Sequence, residues 1–309
     1  MITYITILKE TLWKFFIVMV VYFGFMSNSN AQVENIMKAL TYVKENNFDS
    51  ARYVVDAASV HPETADSAST WYYRGFIYRE LDKKTKKVFS KERELSIQYY
   101  IKSLQIQPAG KYSDNIKEQI NTIASSYYND AVLSLQKNDG DRAKKNFELY
   151  KQTLLLIKPN FDFKNKKIEF YSTLGSLYTA LYENTGENNA EYWKMAKSAY
   201  NIVLKLDPEN LSGNYNVGIL YYNKAVNIIN NQTYDITLAT LNDIQDTSIV
   251  LFRKSLPYMK TALKYEPDNK HTLQGMAGIY FALNENEMVK EIREKLKNLN
   301  EGEDNTDDK

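Results

Sequence analysis

The sequence predicts an all-α protein, an α-solenoid of about six stacked helix pairs behind an N-terminal signal segment. Three observations carry that expectation. One spacing of small and large residues ending in proline recurs along the chain, each copy is preceded by a second segment with a small residue at a fixed place, and no motif for catalysis or metal binding interrupts the pattern. The composition agrees. Of 309 residues, 44% are hydrophobic and 25% charged, enough apolar content for a core, whereas disorder would show fewer apolar residues and a larger net charge. With 39 Lys+Arg against 38 Asp+Glu, the net charge of +1 gives no general argument for nucleic acid. Cysteine is absent, which removes disulfides, thiolate zinc sites and cysteine nucleophiles.

Residues 1–31 are read as a signal peptide. Phe15 to Met26 (FFIVMVVYFGFM) is too short for a bilayer span of about 20 residues but suits a signal core, with Lys9 and Lys14 before it. Ser29 and Ala31 are small residues at the −3 and −1 positions of a cleavage site, so the mature chain is expected to start at Gln32, leaving a periplasmic or secreted protein without a membrane span. An uncleaved anchor is the alternative reading.

The helix pairs follow. Ser96, Tyr100, Ser103, Leu104, Ile106 and Pro108 share their spacing with Ala196, Tyr200, Val203, Leu204, Leu206 and Pro208. Ser255, Met259, Ala262, Leu263, Tyr265 and Pro267 repeat it a third time. The spacing i, i+4, i+7, i+8 is one face of an α-helix, and each copy stops just before proline, where the helical region is disfavoured. A copy one residue shorter runs from Ala51 through Val55 and Ala58 to Pro62. Another, from Ala143 through Phe147, Tyr150 and Leu154 to Pro159, is four residues longer, about one helical turn.

The partner segments are Trp71-x-x-Arg74-Gly75-x-x-Tyr78, Tyr171-x-x-Leu174-Gly175-x-x-Tyr178 and Asn214-x-x-Val217-Gly218-x-x-Tyr221, with Ala39, Ala131 and Ala277 at the equivalent place in the other pairs. A glycine inside a helix costs ~1 kcal/mol relative to alanine. Three at one position imply that the neighbouring helix backbone needs the room. Asn46-Asn47 is expected to turn the first pair, with Phe48 at the elbow, and Asp139-Gly140-Asp141 the third, with Asp141 as N-cap. Pro257 lies inside a helical run from about 247 to 265 and should kink it. The stretch 231–246 has apolar residues at mixed spacing and no clear element. The last pair, about 271–284 and 286–298, should cap the array, and 299–309 reads as an acidic, disordered tail.

This pattern of Trp/Tyr, Leu, Gly and Tyr followed by Ala, Tyr and Pro resembles the tetratricopeptide repeat, a helix-turn-helix unit of about 34 residues. The resemblance spans about 32–298 and implies a right-handed solenoid. Its repeats are lengthened: Gly75 to Ser96 and Gly175 to Ala196 are each 21 residues apart, against about 12 in the family, and Gly218 to Ser255 is 37. In this respect the chain is similar to secreted bacterial tetratricopeptide proteins with extended helices.

The family lines its concave face with the first helix of each pair. Here those positions are Tyr72, Phe76 and Arg79; Tyr128, Val132 and Leu135; Ser172, Ser176 and Thr179; and Tyr215, Ile219 and Tyr222. Tyrosine gives contact area at low entropy cost, although with 25 tyrosines in the chain some fall there by packing alone. The family's carboxylate-clamping variant needs Lys and Asn on this face, and Tyr72 with Phe76 does not match it.

No phosphate loop, dinucleotide fingerprint, zinc-protease or hydrolase motif occurs. Gly275-Met276-Ala277-Gly278 falls within a predicted helix and reads as packing. His61 and His271 have no converging partners and read as surface residues. Residues 82–93 (DKKTKKVFSKER) are either a solvated charge run or a docking site for an acidic partner or lipid headgroups. The resemblance implies a non-catalytic, cofactor-free scaffold for protein or peptide partners, placed in an envelope-associated complex. The alternative is a solute-binding component of an outer-membrane uptake system that takes a glycan or peptide.

Overall fold

The computed structural model describes residues 34–85, 87–185, 190–231 and 236–304. The signal segment and its expected cleavage site lie outside these residues. The described residues form α-helices joined by turns and loops, with no strand among them. They are α1 (34–44), α2 (Phe48–Val60), α3 (Ala68–Thr85), α4 (Lys91–Ile106), α5 (Ser113–Gln136), α6 (Gly140–Leu155), α7 (Lys164–Thr185), α8 (Ala190–Leu206), α9 (Leu211–Asn230), α10 (Leu238–Tyr265), α11 (Lys270–Ala282) and α12 (Asn286–Asp304). Consecutive helices pair as expected: α3 packs on α4, α7 on α8, α9 on α10 and α11 on α12. The chain divides into two compact units. The first runs through Asp130 and includes Lys145–Phe161; the second holds Ala131–Lys144 and everything from Asp162, so that α5 and α6 contribute to both.

The recurring small residues explain the pairing. A Cβ on Gly75 would come within 2.7 Å of the Tyr100 ring, one on Gly175 would strike the Tyr200 ring, and one on Gly218 would lie 2.6 Å from Met259 Sδ. Tyr100, Tyr200 and Met259 are the large residues one turn after the small one in the proline-ended pattern, and all three are buried. The room left by glycine is therefore filled chiefly by the partner's large side chain, not by its backbone alone. The small residue before it has its own contact. Ser96 Oγ donates to the Gly75 carbonyl at 2.8 Å, and Ser255 Oγ donates to the Gly218 carbonyl at 2.6 Å. These are buried bonds between the two helices of a pair, each stabilising by about 1 kcal/mol.

Three of the inter-helix turns are tight and use one device. Asn46, Asn138 and Asn284 have φ near +60° and close the turns α1–α2, α5–α6 and α11–α12. Asparagine tolerates this left-handed conformation better than most residues. After the first, Asn47 caps α2 by accepting from the Ser50 amide at 3.2 Å, and Phe48 is buried at the elbow. In the third pair the cap is Asp139, whose Oδ1 accepts from the Arg142 amide at 3.0 Å. The expectation for Asp141 is corrected: α6 starts at Gly140, which puts Asp141 in the first turn, where it pairs with Lys144. Gly140 itself is required because a Cβ there would strike the Tyr178 hydroxyl.

The first unit's core gathers Ala39, Phe48, Ala51, Val54, Val55, Ile77 and Leu81 from α1, α2 and α3. Asp56 of α2 ties it to α3, accepting from Arg74 Nε at 2.8 Å and from the Tyr78 hydroxyl at 2.9 Å, while the Arg74 guanidinium lies 4.0 Å from the Tyr99 ring centroid. In the second unit, Trp193 of α8 donates to the Leu220 carbonyl of α9 and meets Tyr221 edge-on at 5.4 Å.

Two boundaries differ from expectation. The helix expected from about 247 starts at Leu238, with Thr237 as N-cap accepting from the Thr240 amide, and it continues through Pro257 to Tyr265. The unassigned stretch 231–246 is thus largely a helical extension, whose apolar residues were obscured by being counted apart from the helix they belong to. At the other end α12 runs to Asp304, past the expected boundary at 298. Gly275 and Gly278 lie within α11, where a Cβ would meet Met259 Cε and the Tyr222 hydroxyl respectively, which bears out their packing role.

Replacing Gly175 with Ala should destabilise the protein by about 1–3 kcal/mol through overpacking against Tyr200, although the same change in an unobstructed helix stabilises by ~1 kcal/mol. Urea unfolding followed by circular dichroism checks the sign. A stabilised Gly175→Ala variant would contradict this account of the pair interface.

Candidate functional site

In the first unit, Tyr72 and Phe76 of α3 line one apolar groove of about 330 Å³ with Met37, Leu40 and Val43 of α1. Residues 72 and 76 are four apart on a helix and therefore share a face. Tyr72 is held firmly: its ring stacks on Tyr112 at 4.2 Å and 15°, and its hydroxyl donates to Asn115 Oδ1 at 3.0 Å. Tyr73, beside it, is hydrogen-bonded to the Tyr112 hydroxyl at 3.5 Å; that bond, with burial, pushes its pKa up to about 12, so the phenol stays neutral at physiological pH. Met37, on the groove wall, is 60% exposed. Lys44 supplies a positive charge at the edge.

Arg79, expected on the same face, is placed differently. It is 6% exposed and its Nη1 is paired with Asp82. Asp82 is shared with Arg93, whose Nε approaches its two carboxylate oxygens at 3.2 and 3.1 Å, and Arg93 Nη1 donates to Asp130 at 2.8 Å. Burial works against the Arg93 charge, but the hydrogen bond to Asp130 and the nearby Asp82 outweigh it and raise its pKa above the ordinary arginine value. The Arg93 guanidinium also lies 4.8 Å from the Tyr127 centroid. This buried network joins α3, α4 and α5. The basic run 82–93 therefore has both ends, Asp82 and Arg93, folded inward as a clamp, and Ser90 between them caps α4 by accepting from the Arg93 amide at 3.2 Å. Tyr128 packs its ring against Phe147 at 6.2 Å and Tyr150 at 5.2 Å.

In the second unit the expected positions serve different ends. Ser176 and Thr179 each place an Oγ 3.3 Å from the Tyr200 hydroxyl. They solvate a phenol whose pKa burial raises and these two bonds lower in part. Ser176 also donates to the Ser172 carbonyl at 3.1 Å. In the first unit the equivalent residues are Phe76 and Arg79, and the Tyr100 hydroxyl there is buried without a partner. Tyr215 and Ile219 are half-buried on α9, and burial raises the Tyr215 pKa. Tyr222 lines the larger cavity, about 520 Å³, with Val226 of α9, Leu241, Ile244 and Phe252 of α10, and Phe281 of α11. The face positions picked out from the sequence include neither the α1 residues of the first groove nor the α10 residues of this cavity. The spacing of Leu241, Ile244, Ser248 and Phe252 was the available signal, since it continues into Ser255 and Met259 of the recognised pattern.

Among the described residues there is no cluster of His, Asp or Glu suited to a metal ion, and no helix is long and apolar enough to cross a membrane. His61 caps α2 and accepts from the Glu63 amide through Nδ1, and His271 is exposed on α11.

The paired helices, the glycine beneath a large partner side chain and the proline after the second helix together decide the fold. It is that of a tetratricopeptide-repeat protein. No family model and no curated protein matches the chain. Solved structures similar to it include one from a functional characterisation of Pseudomonas aeruginosa pilF, with 13% identity, a TM-score of 0.33, and coverage of 87% of this chain and 92% of that one. A tetratricopeptide repeat protein from Parabacteroides merdae shows 16% identity, a TM-score of 0.27 and coverage of 87% and 80%. The TPR2AB domain of yeast Sti1, in complex with pHSP90, shows 14% identity, a TM-score of 0.28 and coverage of 89% and 93%.

Asp82→Ala leaves two buried guanidinium groups short of a partner and should cost about 3 kcal/mol or more in stability. Guanidinium titration of the variant checks this, with an unchanged midpoint as the contrary result.

Proposed function

We propose that this tetratricopeptide-repeat protein is a non-catalytic scaffold for protein or peptide partners, exported to the cell envelope. The observation that carries the binding reading is the first unit's groove. There Tyr72 and Phe76, picked out by their place in the repeat, meet Met37, Leu40 and Val43 in one apolar concavity. The aromatic floor is preorganised by the stack on Tyr112 and the bond to Asn115, so a partner does not bear the entropy of ordering it. A rigid aromatic anchor beside exposed aliphatic side chains suits an apolar side chain of an extended or helical peptide. Lys44 at the edge favours an acidic residue flanking that anchor. Tyr128 in the first unit and, separately, Ser172, Tyr215 and Ile219 in the second hold the repeat's other first-helix positions, whereas Arg79 is committed to Asp82, Ser176 to Tyr200 and Tyr222 to the second unit's own cavity. Export rests on the apolar run 15–26 and the small residues before Gln32.

Two measurements test these readings. Affinity purification of the mature chain from envelope extract should recover a stoichiometric protein partner, and Tyr72→Ala with Phe76→Ala should reduce its recovery at least tenfold without changing the helical signal. Recovery undiminished by the double substitution would remove this groove from the function. N-terminal sequencing of the exported chain should read Gln32 first; an intact Met1 in the envelope fraction would instead indicate an anchor.

A further inference from the structure

We infer that the second unit's cavity is a binding site for a small amphiphile: one unbranched aliphatic chain carrying a single uncharged hydrogen-bonding group, as in a fatty alcohol or a fatty amide. The site is independent of the peptide groove of the first unit.

Its shape follows from the lengthened fifth repeat. Because α10 begins at Leu238, its first turns extend alongside the C-terminal half of α9 and the end of α11, and the three helices border a solvent-open cavity of about 520 Å³. The walls are long. Tyr222 to Ile229 covers about 10 Å of α9 and Leu241 to Phe252 about 16 Å of α10, at roughly 1.5 Å per residue. A cavity of about 150 Å³ holds one benzene, so this volume exceeds the need of a single ring several-fold, and its length along the helices suits a chain.

The chemistry of the wall selects the ligand. Among the described residues no Asp, Glu, Lys, Arg or His lines the cavity, so a charge drawn against these walls would lose hydration without gaining a counter-ion from them. The aliphatic residues Val226, Ile229, Leu241 and Ile244 dominate. Ile229, Leu241 and Phe281 remain 45%, 47% and 66% exposed, apolar surface that a ligand would cover. Asn230 and Gln245 also line it but are exposed to solvent, and one polar side chain is buried without a partner. Ser248, on the cavity wall, is 2% exposed, and its Oγ is buried with no hydrogen-bond partner. A buried hydroxyl without a partner is destabilising, and a ligand group that donates to or accepts from it removes that defect. Ser255, two turns further along α10, shows the contrast, since its hydroxyl is satisfied by the Gly218 carbonyl. Gly278 forms part of the wall. A Cβ there would come within 2.7 Å of the Tyr222 hydroxyl, so the glycine keeps that ring in place. Pockets of this size, mostly apolar with a few placed polar groups, are the usual form of small-molecule sites.

The test is calorimetric titration of the purified full chain with 1-decanol and, separately, with decanoate at pH 8. One decanol is expected to bind per chain, and decanoate at least tenfold more weakly. Ser248→Ala should weaken decanol binding about fivefold, the worth of one neutral hydrogen bond. Leu241→Asp, at an exposed wall position, should abolish it; Phe281→Glu on the rim serves the same purpose if the first variant loses its helical signal or its melting transition. No saturable binding of decanol overturns the proposal, as does decanol binding unaffected by the wall substitutions or decanoate bound as tightly as decanol. Sedimentation analysis adds a further outcome: a dimer that Leu241→Asp dissolves would show that a second copy of the chain covers this face, and would equally overturn it.

Discussion

Everything in this protein depends on how closely the two helices of a pair can approach. At Gly75, Gly175 and Gly218 the first helix has no Cβ, and the large side chain of the second, Tyr100, Tyr200 or Met259, lies in the vacated space. The interior is packed to the density of an organic solid, so one methyl group at these places has nowhere to go. Around that contact the rest is arranged. A serine one turn earlier satisfies the glycine carbonyl in two pairs, a proline ends the second helix, and an asparagine in the left-handed region or a longer loop joins the two.

Because this interface is built from local contacts, each pair tolerates change elsewhere, and the pairs have diverged. In the second pair, Phe76 and Arg79 replace the hydroxyls that Ser176 and Thr179 offer to Tyr200 in the fourth. The consequence is an unsolvated Tyr100 hydroxyl, an apolar groove with Tyr72, and an arginine turned into the buried network of Asp82, Arg93 and Asp130. In the fifth pair the change is in length. The added turns of α10 bring Leu241, Ile244 and Ser248 beside α9, where they line a cavity with α9 and α11. The two concave surfaces differ in character. One is a groove with a rigid aromatic floor and a lysine in its lining; the other is a slot whose described lining carries no charge and one buried, unpartnered hydroxyl.

The helix pairs, their order and the demand for room at the small residues were legible in the sequence, because a helix face is a periodic pattern and glycine at a fixed place in it has few explanations; what fills that room, a large side chain of the partner helix and not chiefly its backbone, was not. Tyr72 and Phe76 were legible for the same reason: position in the repeat specifies which face a side chain occupies. What that position could not specify is what stands opposite. Arg79 and Ser176 occupy equally exposed places in the pattern, yet Arg79 is drawn inward by an Asp82 that also holds Arg93, itself bonded to Asp130, while Ser176 meets Tyr200; the Arg93–Asp82, Arg93–Asp130 and Ser176–Tyr200 links span 11, 37 and 24 residues, which no local period reports. The same holds for the charge run 82–93. Composition suggested a solvated or docking segment, while the fold draws Asp82 and Arg93 together in its interior.

The sequence by itself determined the all-α architecture and its repeating pair, since hydrophobic period, helix-stopping prolines and the space demanded by one large side chain are encoded within a few turns of each other. Only the tertiary structure decided which of the face-exposed residues line a groove, which serve as internal partners, and that the extension of α10 borders a cavity. Those outcomes depend on side chains from three helices arriving at one place, and burial and charge pairing are settled only when they do.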